Sequence, residues 1–253
     1  MKVSLCVIAY NEEEWIDRLL GQFVQQDYPH DKLEILLIDS NSTDNTRARF
    51  EHFKQEYEKG KPVYNLKVIG EYNDTGTEIT FLPDGDVILK VDAHAEIPDD
   101  FVSKNIRVLK EGEAVVGGQR PNIIDGGTSF KRTLLLAETS MFGSSIASYR
   151  RVAVRKYISS IFHGAYKREV FAKIGGFNEN LWRTEDNEIH YRIRKAGYQI
   201  CFEPDIISYQ HTRSTLPKML KQKYSNGYWI GLTLGICPGC ISIYHLVPLC
   251  FLF

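Results

Sequence analysis

Three polar clusters interrupt otherwise apolar or helical patterns: Asp92-Ala93-His94, Glu185-Asp186 and the segment that starts at Asp39. The first closes the run VILKVDAH. Side chains alternate along an extended chain, so Asp92 and His94 point the same way and offer an oxygen and a nitrogen ligand. Such a pair can hold a divalent cation against a diphosphate and neutralise charge on a leaving nucleotide. The alternative is a strand-end Asp that caps the next turn, with His94 as its neighbour. Glu185-Asp186 opens a helical pattern, where acids satisfy the positive end of the helix dipole; with one carboxylate facing a cleft, the pair could instead take a proton from a hydroxyl. Asp39 could accept hydrogen bonds from a base or sugar, or close an Asx-turn. His211 could return as a third metal ligand. Trp182, Tyr228 and Trp229 could stack on a sugar ring or serve as core or membrane-interface anchors.

These residues need elements to hold them. Val3 to Ala9 is an apolar strand that ends on Tyr10-Asn11-Glu12, and Trp15, Ile16, Leu19, Leu20 and Phe23 recur at helical spacing after it. Leu33 to Ile38 is a second strand ending on Asp39-Ser40. A helix capped near Asp44-Asn45-Thr46 runs to about Lys59. Leu66 to Gly70 and Val87 to Val91 are the third and fourth strands. Strands alternating with helices predict an α/β fold with a mostly parallel sheet flanked by helices. Ligands bind such sheets at the carboxyl ends of the strands, so the strand-end clusters Tyr10-Asn11-Glu12, Asp39-Ser40 and Asp92-Ala93-His94 should converge. No GxGxxG turn follows the first strand, which counts against a dinucleotide dehydrogenase.

The second half reads as a helix over 98–111, a strand over 114–118, a glycine-containing loop over 123–128 and a helix-rich stretch from Phe130 to about Arg151. A helix over 168–174 stops at Gly175-Gly176, and another opens at Trp182 to Asp186 and stops at Gly197. Leu216 to Tyr228 is a basic amphipathic helix carrying Lys218, Lys221 and Lys223, as an interfacial anchor would be.

The chain has 253 residues, 43% hydrophobic and 25% charged, enough for a substantial core. Its 31 Lys and Arg nearly cancel 32 Asp and Glu, so it lacks the global positive field of a general nucleic-acid binder. The five cysteines read as free thiols, and Cys237-Pro-Gly-Cys240 as structural filler, with no second pair to complete a zinc site. The N-terminus shows no signal peptide. Ile230 to Phe253 contains no Lys, Arg, Asp or Glu and approaches the roughly 20 residues that span a bilayer. Its prolines and glycines suit a re-entrant or interfacial segment as well as a span; packing as a helix on the core is the alternative. The abrupt end in Cys-Phe-Leu-Phe reads as a cut from a longer, membrane-anchored protein.

The ordered blocks VSLCVIAYNEEEWI, ILLIDSNSTDNT, GDVILKVDAHAEIP, GAYKREVFAKIGGFNE, RTEDNEIHYRIRKAG and QKYSNGYW resemble the family 2 glycosyltransferases, most closely the bacterial succinoglycan-type exopolysaccharide subgroup, over about residues 1 to 230. The resemblance implies a GT-A fold over 1–215, with a nucleotide-binding half at about 1–118 and an acceptor half at 119–215, followed by a membrane-associated segment over 216–253. It implies a nucleotide-sugar donor, usually a UDP-sugar, a divalent cation (Mn²⁺ or Mg²⁺), and inversion by direct displacement. By position, Ala9, Tyr10 and Glu12 would line the nucleotide pocket, Asp39 would contact uracil or ribose, and Asp92 would sit near ribose and metal. His94 stands where the family's second, metal-binding acid usually is, and His211 would complete the ligands. Asp186 matches the catalytic base. Glu185, Trp182, Gln222, Tyr228 and Trp229 fall in acceptor-binding positions, although the Arg of the family's Gln-x-x-Arg-Trp element is absent.

The implied acceptor is a glycan or lipid-linked glycan, and the implied place is the cytoplasmic face of the plasma membrane, with other polysaccharide-assembly proteins as possible partners and no nucleic acid. Family members usually carry a donor-covering helix before the fourth strand; residues 71–86 hold no such motif. A catalytically weak GT-A domain acting as a nucleotide-binding, glycan-binding or scaffold module is therefore the competing reading. A sugar nucleotidyltransferase fits less well, because the first loop, Tyr10-Asn11-Glu12-Glu13-Glu14, is acidic where a triphosphate needs a glycine-rich, basic one.

Overall fold

The computed structural model describes residues 1–60, 65–69, 83–124, 126–140, 154–178, 180–181, 183–213 and 215–241. Strands β1 (Val3–Ala9), β2 (Leu33–Asp39), β3 (Asn65–Ile69) and β4 (Val87–Asp92) pair in parallel, in the spatial order β3-β2-β1-β4. β1 and β2 are apolar almost throughout because both faces of the sheet are covered. Alternate residues go to opposite sides. Leu5, Val7 and Ala9 enter one core, which β1 shares with helices α1 (Ile16–Val24) and α3 (Phe101–Lys110). Cys6, Leu36, Ile38 and Ile88 enter a second core under helices α5 (Arg168–Ile174) and α6 (Glu185–Lys195).

Helix α2 (Thr46–Gly60) follows β2. Buried Glu34 accepts from Ser4 Oγ at 2.5 Å and Asp84 N at 2.8 Å, and pairs with Lys67 at 3.0 Å. Gly85 N donates to Ser4 Oγ at 2.8 Å, so this buried network steers the chain into β4.

The second half of the chain completes the same sheet. β9 (Ala165–Lys167) inserts antiparallel between β4 and β6 (Val115–Gln119); β10 (Ile200–Ile207) lies parallel to β6, and β8 (Lys156–Ile158) forms the antiparallel edge. The observed sheet is thus mostly parallel with two antiparallel insertions. β8 to β10 carried no clear signal in the sequence. A small second sheet joins β5 (Ala95–Glu96), β11 (Tyr209–His211) and β7 (Asn122–Ile123), and β7 occupies the start of the segment read as a loop. Helix α4 (Ser129–Thr139) matches the beginning of the stretch read as helical to Arg151; residues 141–153 lie outside those described, as do 70–82, the bulk of the shortened donor segment.

The C-terminal reading needs correction. The helix predicted to end at Tyr228 continues to Ile236 as α7 (Leu216–Ile236), because Thr215 caps its start and Gly227, Gly231 and Gly235 do not break it. A short 3-10 turn over Pro238–Cys240 then packs against Tyr191 of α6. Among the described residues no helix is long and apolar enough to cross a membrane. The rest of the apolar tail, 242–253, lies outside them.

Gly118 meets its neighbour strand closely: an added Cβ would stand 1.9 Å from the Ile206 carbonyl oxygen. Gly118→Ala should therefore lower unfolding free energy by about 1–3 kcal/mol, the usual overpacking cost, read as a lower urea midpoint. An unchanged midpoint would contradict the register of β6 on β10.

Candidate active site

Register brings the first group of predicted residues together. Ala9 pairs with Asp39, and Ile8 with Asp92, so both carboxylates end strands that flank β1. The loops after β1 and β2 are zipped to each other. Asn11 N donates to Ser42 Oγ at 3.0 Å, Thr43 N to Asn11 Oδ1 at 2.8 Å, and Glu12 N to Thr46 Oγ1 at 2.8 Å. Asn11 and Asn41 take positive φ (54° and 61°), which asparagine tolerates better than most side chains. Asp39 is 2% exposed, and both its oxygens lie 3.3 Å from the backbone N of Ser42 in the following loop. Tyr10 is 58% exposed beside it.

The predicted three-residue metal set does not form. His211 Nε2 lies 2.5 Å from Glu96 Oε1, and its ring packs on Trp15 with centroids 4.4 Å apart. β11 pairs with β5, and that register hands His211 to Glu96 instead of Asp92. Among the described residues no three His, Cys, Asp or Glu side chains gather to hold a metal. Asp92 and His94 nevertheless suit a cation that brings its own oxygens. His94 Nδ1 sits 3.1 Å from Glu12 Oε1, an orientation that turns Nε2 into the free ring nitrogen, as carboxylate-held metal histidines show. Divalent cations such as Mg²⁺ are commonly held by one or two protein groups plus substrate phosphates.

Asp92 is gripped by a residue that sequence reasoning missed. His163 Nε2 lies 3.1 Å from Asp92 Oδ2, and Nδ1 lies 2.8 Å from Ser208 Oγ. Burial holds the His163 imidazole below its ordinary value; Nδ1 meets the Ser208 hydroxyl, while Nε2 lies close to Asp92 without an aligned hydrogen bond among the described residues. Burial alone would raise Asp92, but its close contact with the His163 ring and the charge of Lys90 hold its carboxyl well below the usual range. His163 has φ 47°, a strained conformation for a non-glycine residue of the kind that clusters at functional sites.

The second missed residue is Lys90, two positions before Asp92 and therefore on the same face of β4. It is 6% exposed, and its Nζ lies 3.0 Å from Glu185 Oε1 and 2.9 Å from Asp186 Oδ1. Despite its burial, the two carboxylates and Asp92 keep the ammonium charged well above its ordinary value. Glu185 is pushed up to about 7, chiefly by burial, with Lys90 opposing and Asp186 adding to the rise. Its Oε2 is buried with no hydrogen-bond partner among the described residues. The helix behind the pair is anchored by His190, whose ring contacts Ser160 Oγ and Tyr166 OH at 2.9 Å each; burial lowers this histidine to about 4.

A cleft of about 620 Å³ is bounded by the chain neighbours of these groups, His94 and Arg183, while Lys90, Asp92, Glu185 and Asp186 themselves do not line it. Glu12, His94, His211 and Gln222 line it from the predicted set, joined by Trp15, Arg183, Arg213, Lys218 and Lys221. Arg183 and Arg213 stand near enough that Arg213, after burial, lowers the Arg183 guanidinium. None of Arg183, Arg213, Lys218 and Lys221 forms an ion pair with a described carboxylate. Two residues read as acceptor-binding do not line this cleft. Tyr228 is 56% exposed outside the cleft, and Trp229 lies a turn beyond the last lining residue of α7, Ser225, with its ring edge-on to Tyr228 at 5.9 Å. Trp182 lies outside the described residues.

Comparison with known proteins places this geometry. The profile of Glycosyl transferase family 2 matches residues 4–175, and that of the N-terminal domain of galactosyltransferase matches 144–215. The chain is 29% identical over 99% of its length, and 79% of the relative's, to the dolichyl N-acetyl-alpha-D-glucosaminyl phosphate 3-beta-D-2,3-diacetamido-2,3-dideoxy-beta-D-glucuronosyltransferase of Methanococcus voltae. It is 25% identical to the succinoglycan biosynthesis protein ExoA of Rhizobium meliloti, covering 88% of this chain and 68% of that one. Among solved structures, the Pyrobaculum calidifontis mannosyltransferase PcManGT in complex with GDP-Man and Mn²⁺ superposes with TM-score 0.67 at 22% identity, over 92% of this chain and 64% of that one. S. aureus TarS in complex with UDP-GlcNAc gives 0.62 at 21%, over 85% and 60%. The chain thus spans about three fifths of those structures, and they establish the GT-A-like fold.

The raised Glu185 carboxyl has a consequence for stability. The native state holds a proton on it between its ordinary value of 4.5 and about 7, so this contribution is fully present below pH 4.5 and is lost as pH rises through 7. Unfolding curves from pH 4.5 to 8 should show that decline, and Glu185→Gln should flatten it; an identical slope in the variant would contradict the burial of Glu185. Strands that share a sheet with the match, and a profile covering residues 4–175, lead to one conclusion: the chain belongs to glycosyl transferase family 2.

Proposed function

We propose that this protein transfers a sugar from a UDP-sugar to a hydroxyl of a glycan or lipid-linked glycan, with inversion at the anomeric carbon. The observation that carries this reading is the carboxylate pair Glu185-Asp186 held on Lys90, two strand positions from Asp92. Asp186 takes the proton of the acceptor hydroxyl as its oxygen attacks the anomeric carbon. The bond to the diphosphate breaks in the same displacement, and the nucleoside diphosphate leaves with the electron pair.

Ala9, Tyr10 and Asp39 bound the nucleoside, and Gln222 offers an amide to the acceptor from the cleft wall. Asp92 and the Glu12-oriented His94 would hold a divalent cation, which when bound neutralises charge on the diphosphate. Arg183, Arg213, Lys218 and Lys221 draw that anion into the cleft. The Mn²⁺ and nucleotide-sugar complexes of structural relatives, and the glycan-building names of the curated ones, support the reading.

Helix α7 supports a place at the membrane surface, on the cytoplasmic side. Leu216, Leu220, Tyr224, Tyr228, Leu232 and Ile236 recur every fourth residue and are all exposed, Tyr224 at 78%. An exposed run of large apolar side chains suits the interface of a bilayer.

Two measurements test these readings. Asp186→Asn should keep UDP affinity while cutting UDP release from the productive UDP-sugar by about 10²–10⁴-fold, the usual share of a general base. Near-normal release would remove Asp186 as the base, and UDP binding with no release from any donor, acceptor extracts included, would leave the chain a binding module. The protein should co-sediment with vesicles containing phosphatidylglycerol, and Leu220→Asp with Tyr224→Asp should abolish that; undiminished sedimentation of the double variant would refute the α7 interface.

A further inference from the structure

Lys90 has a second role that follows from where its charge sits. Neighbouring residues on a helix point about 100° apart, so Glu185 and Asp186 would diverge without a common partner. Lys90 reaches up from β4 and meets both, at 3.0 and 2.9 Å. Its side chain is 7% exposed, and the ammonium also lies 5.2 Å from the centroid of the Phe177 ring, which closes the pocket from the α5–α6 connection. The other ionisable groups around the clamp are Asp92 on β4, His190 on α6 and Tyr166 on β9; Tyr166 and His190 are bonded to each other.

Resting on the base assignment above, we propose that Lys90 is a positioning residue for transfer: its ammonium fixes the two carboxylates at the start of α6 relative to Asp92. It thereby ties the acceptor side of the site to the strand that ends at the donor. A mere brace for the fold would occupy the same place, but it would act on stability and not on the chemical step.

The test measures kcat, donor KM, UDP affinity and melting temperature for the full chain and for Lys90→Met, Lys90→Arg, Glu185→Gln and the double variant Lys90→Met/Glu185→Gln, with Asp186→Asn alongside. Lys90→Met should lower kcat by about 10²-fold, the scale of a misplaced catalytic group, with donor KM and UDP affinity unchanged. Lys90→Arg, which keeps the charge, should recover part of that loss. In the Glu185→Gln background the same Lys90→Met change should cost about tenfold less, because a clamp with one carboxylate removed has less to hold.

A Lys90→Met protein with wild-type kcat, beside an inactive Asp186→Asn, overturns the clamp and leaves the base reading intact. Full activity in Asp186→Asn overturns the base reading first. Equal losses from Lys90→Met in both backgrounds, accompanied by a lower melting temperature, reduce Lys90 to a structural brace and overturn the proposal. If Lys90→Met alone fails to fold, the comparison passes to the double variant against Glu185→Gln: indistinguishable kcat values overturn the proposal, and Lys90→Arg at the level of Asp186→Asn does the same.

Discussion

A charged lysine buried in a central strand must be met by negative charge, because leaving an ammonium unpaired in the interior costs on the order of several kcal/mol. Lys90 is that lysine, and the demand it creates organises the site. Two carboxylates answer it from the start of α6, and a third, Asp92, follows it on the same face of β4. The helix can present those acids only because β9 enters the sheet beside β4 and carries α5 with it, so that α6 packs over the second core. One interaction therefore couples the strand that ends at Asp92 with the helix that carries Glu185 and Asp186.

The remaining groups are arranged around that coupling. His163 holds Asp92 from below and is itself held by Ser208, at the cost of a strained backbone. Glu12 turns His94 outward, and the loop zipper through Asn11, Ser42, Thr43 and Thr46 fixes the Glu12 backbone. Arg183, Arg213, Lys218 and Lys221 line the same cleft as Glu12 and His94, so cationic and acidic side chains share its wall.

The legible part of the molecule was the first half, where strand and helix periodicity is regular and three strands end in polar clusters. β1 to β4 and the convergence of Asp39, Asp92 and His94 follow from that pattern alone. What stayed hidden depended on tertiary pairing. β8 and β9 are three residues each, too short to show a period, and β9 determines which helix covers Lys90. A lysine inside VILKVD was a visible signal, but its partners stand 95 and 96 residues away in sequence. His211 was misassigned because β11 pairs with β5, a register that two- and three-residue strands do not announce. The helix expected to stop at Tyr228 continues for about two more turns, because its glycines do not break it.

The account stands on a single base acting in a direct displacement, and the stereochemistry of the product reads that most directly. With the productive α-linked UDP-sugar and an acceptor, proton NMR of the newly formed glycosidic linkage should show the β anomer. An α-linked product would mean that the configuration is retained, and would contradict the assignment of the Lys90-held carboxylates as the base of an inverting transfer.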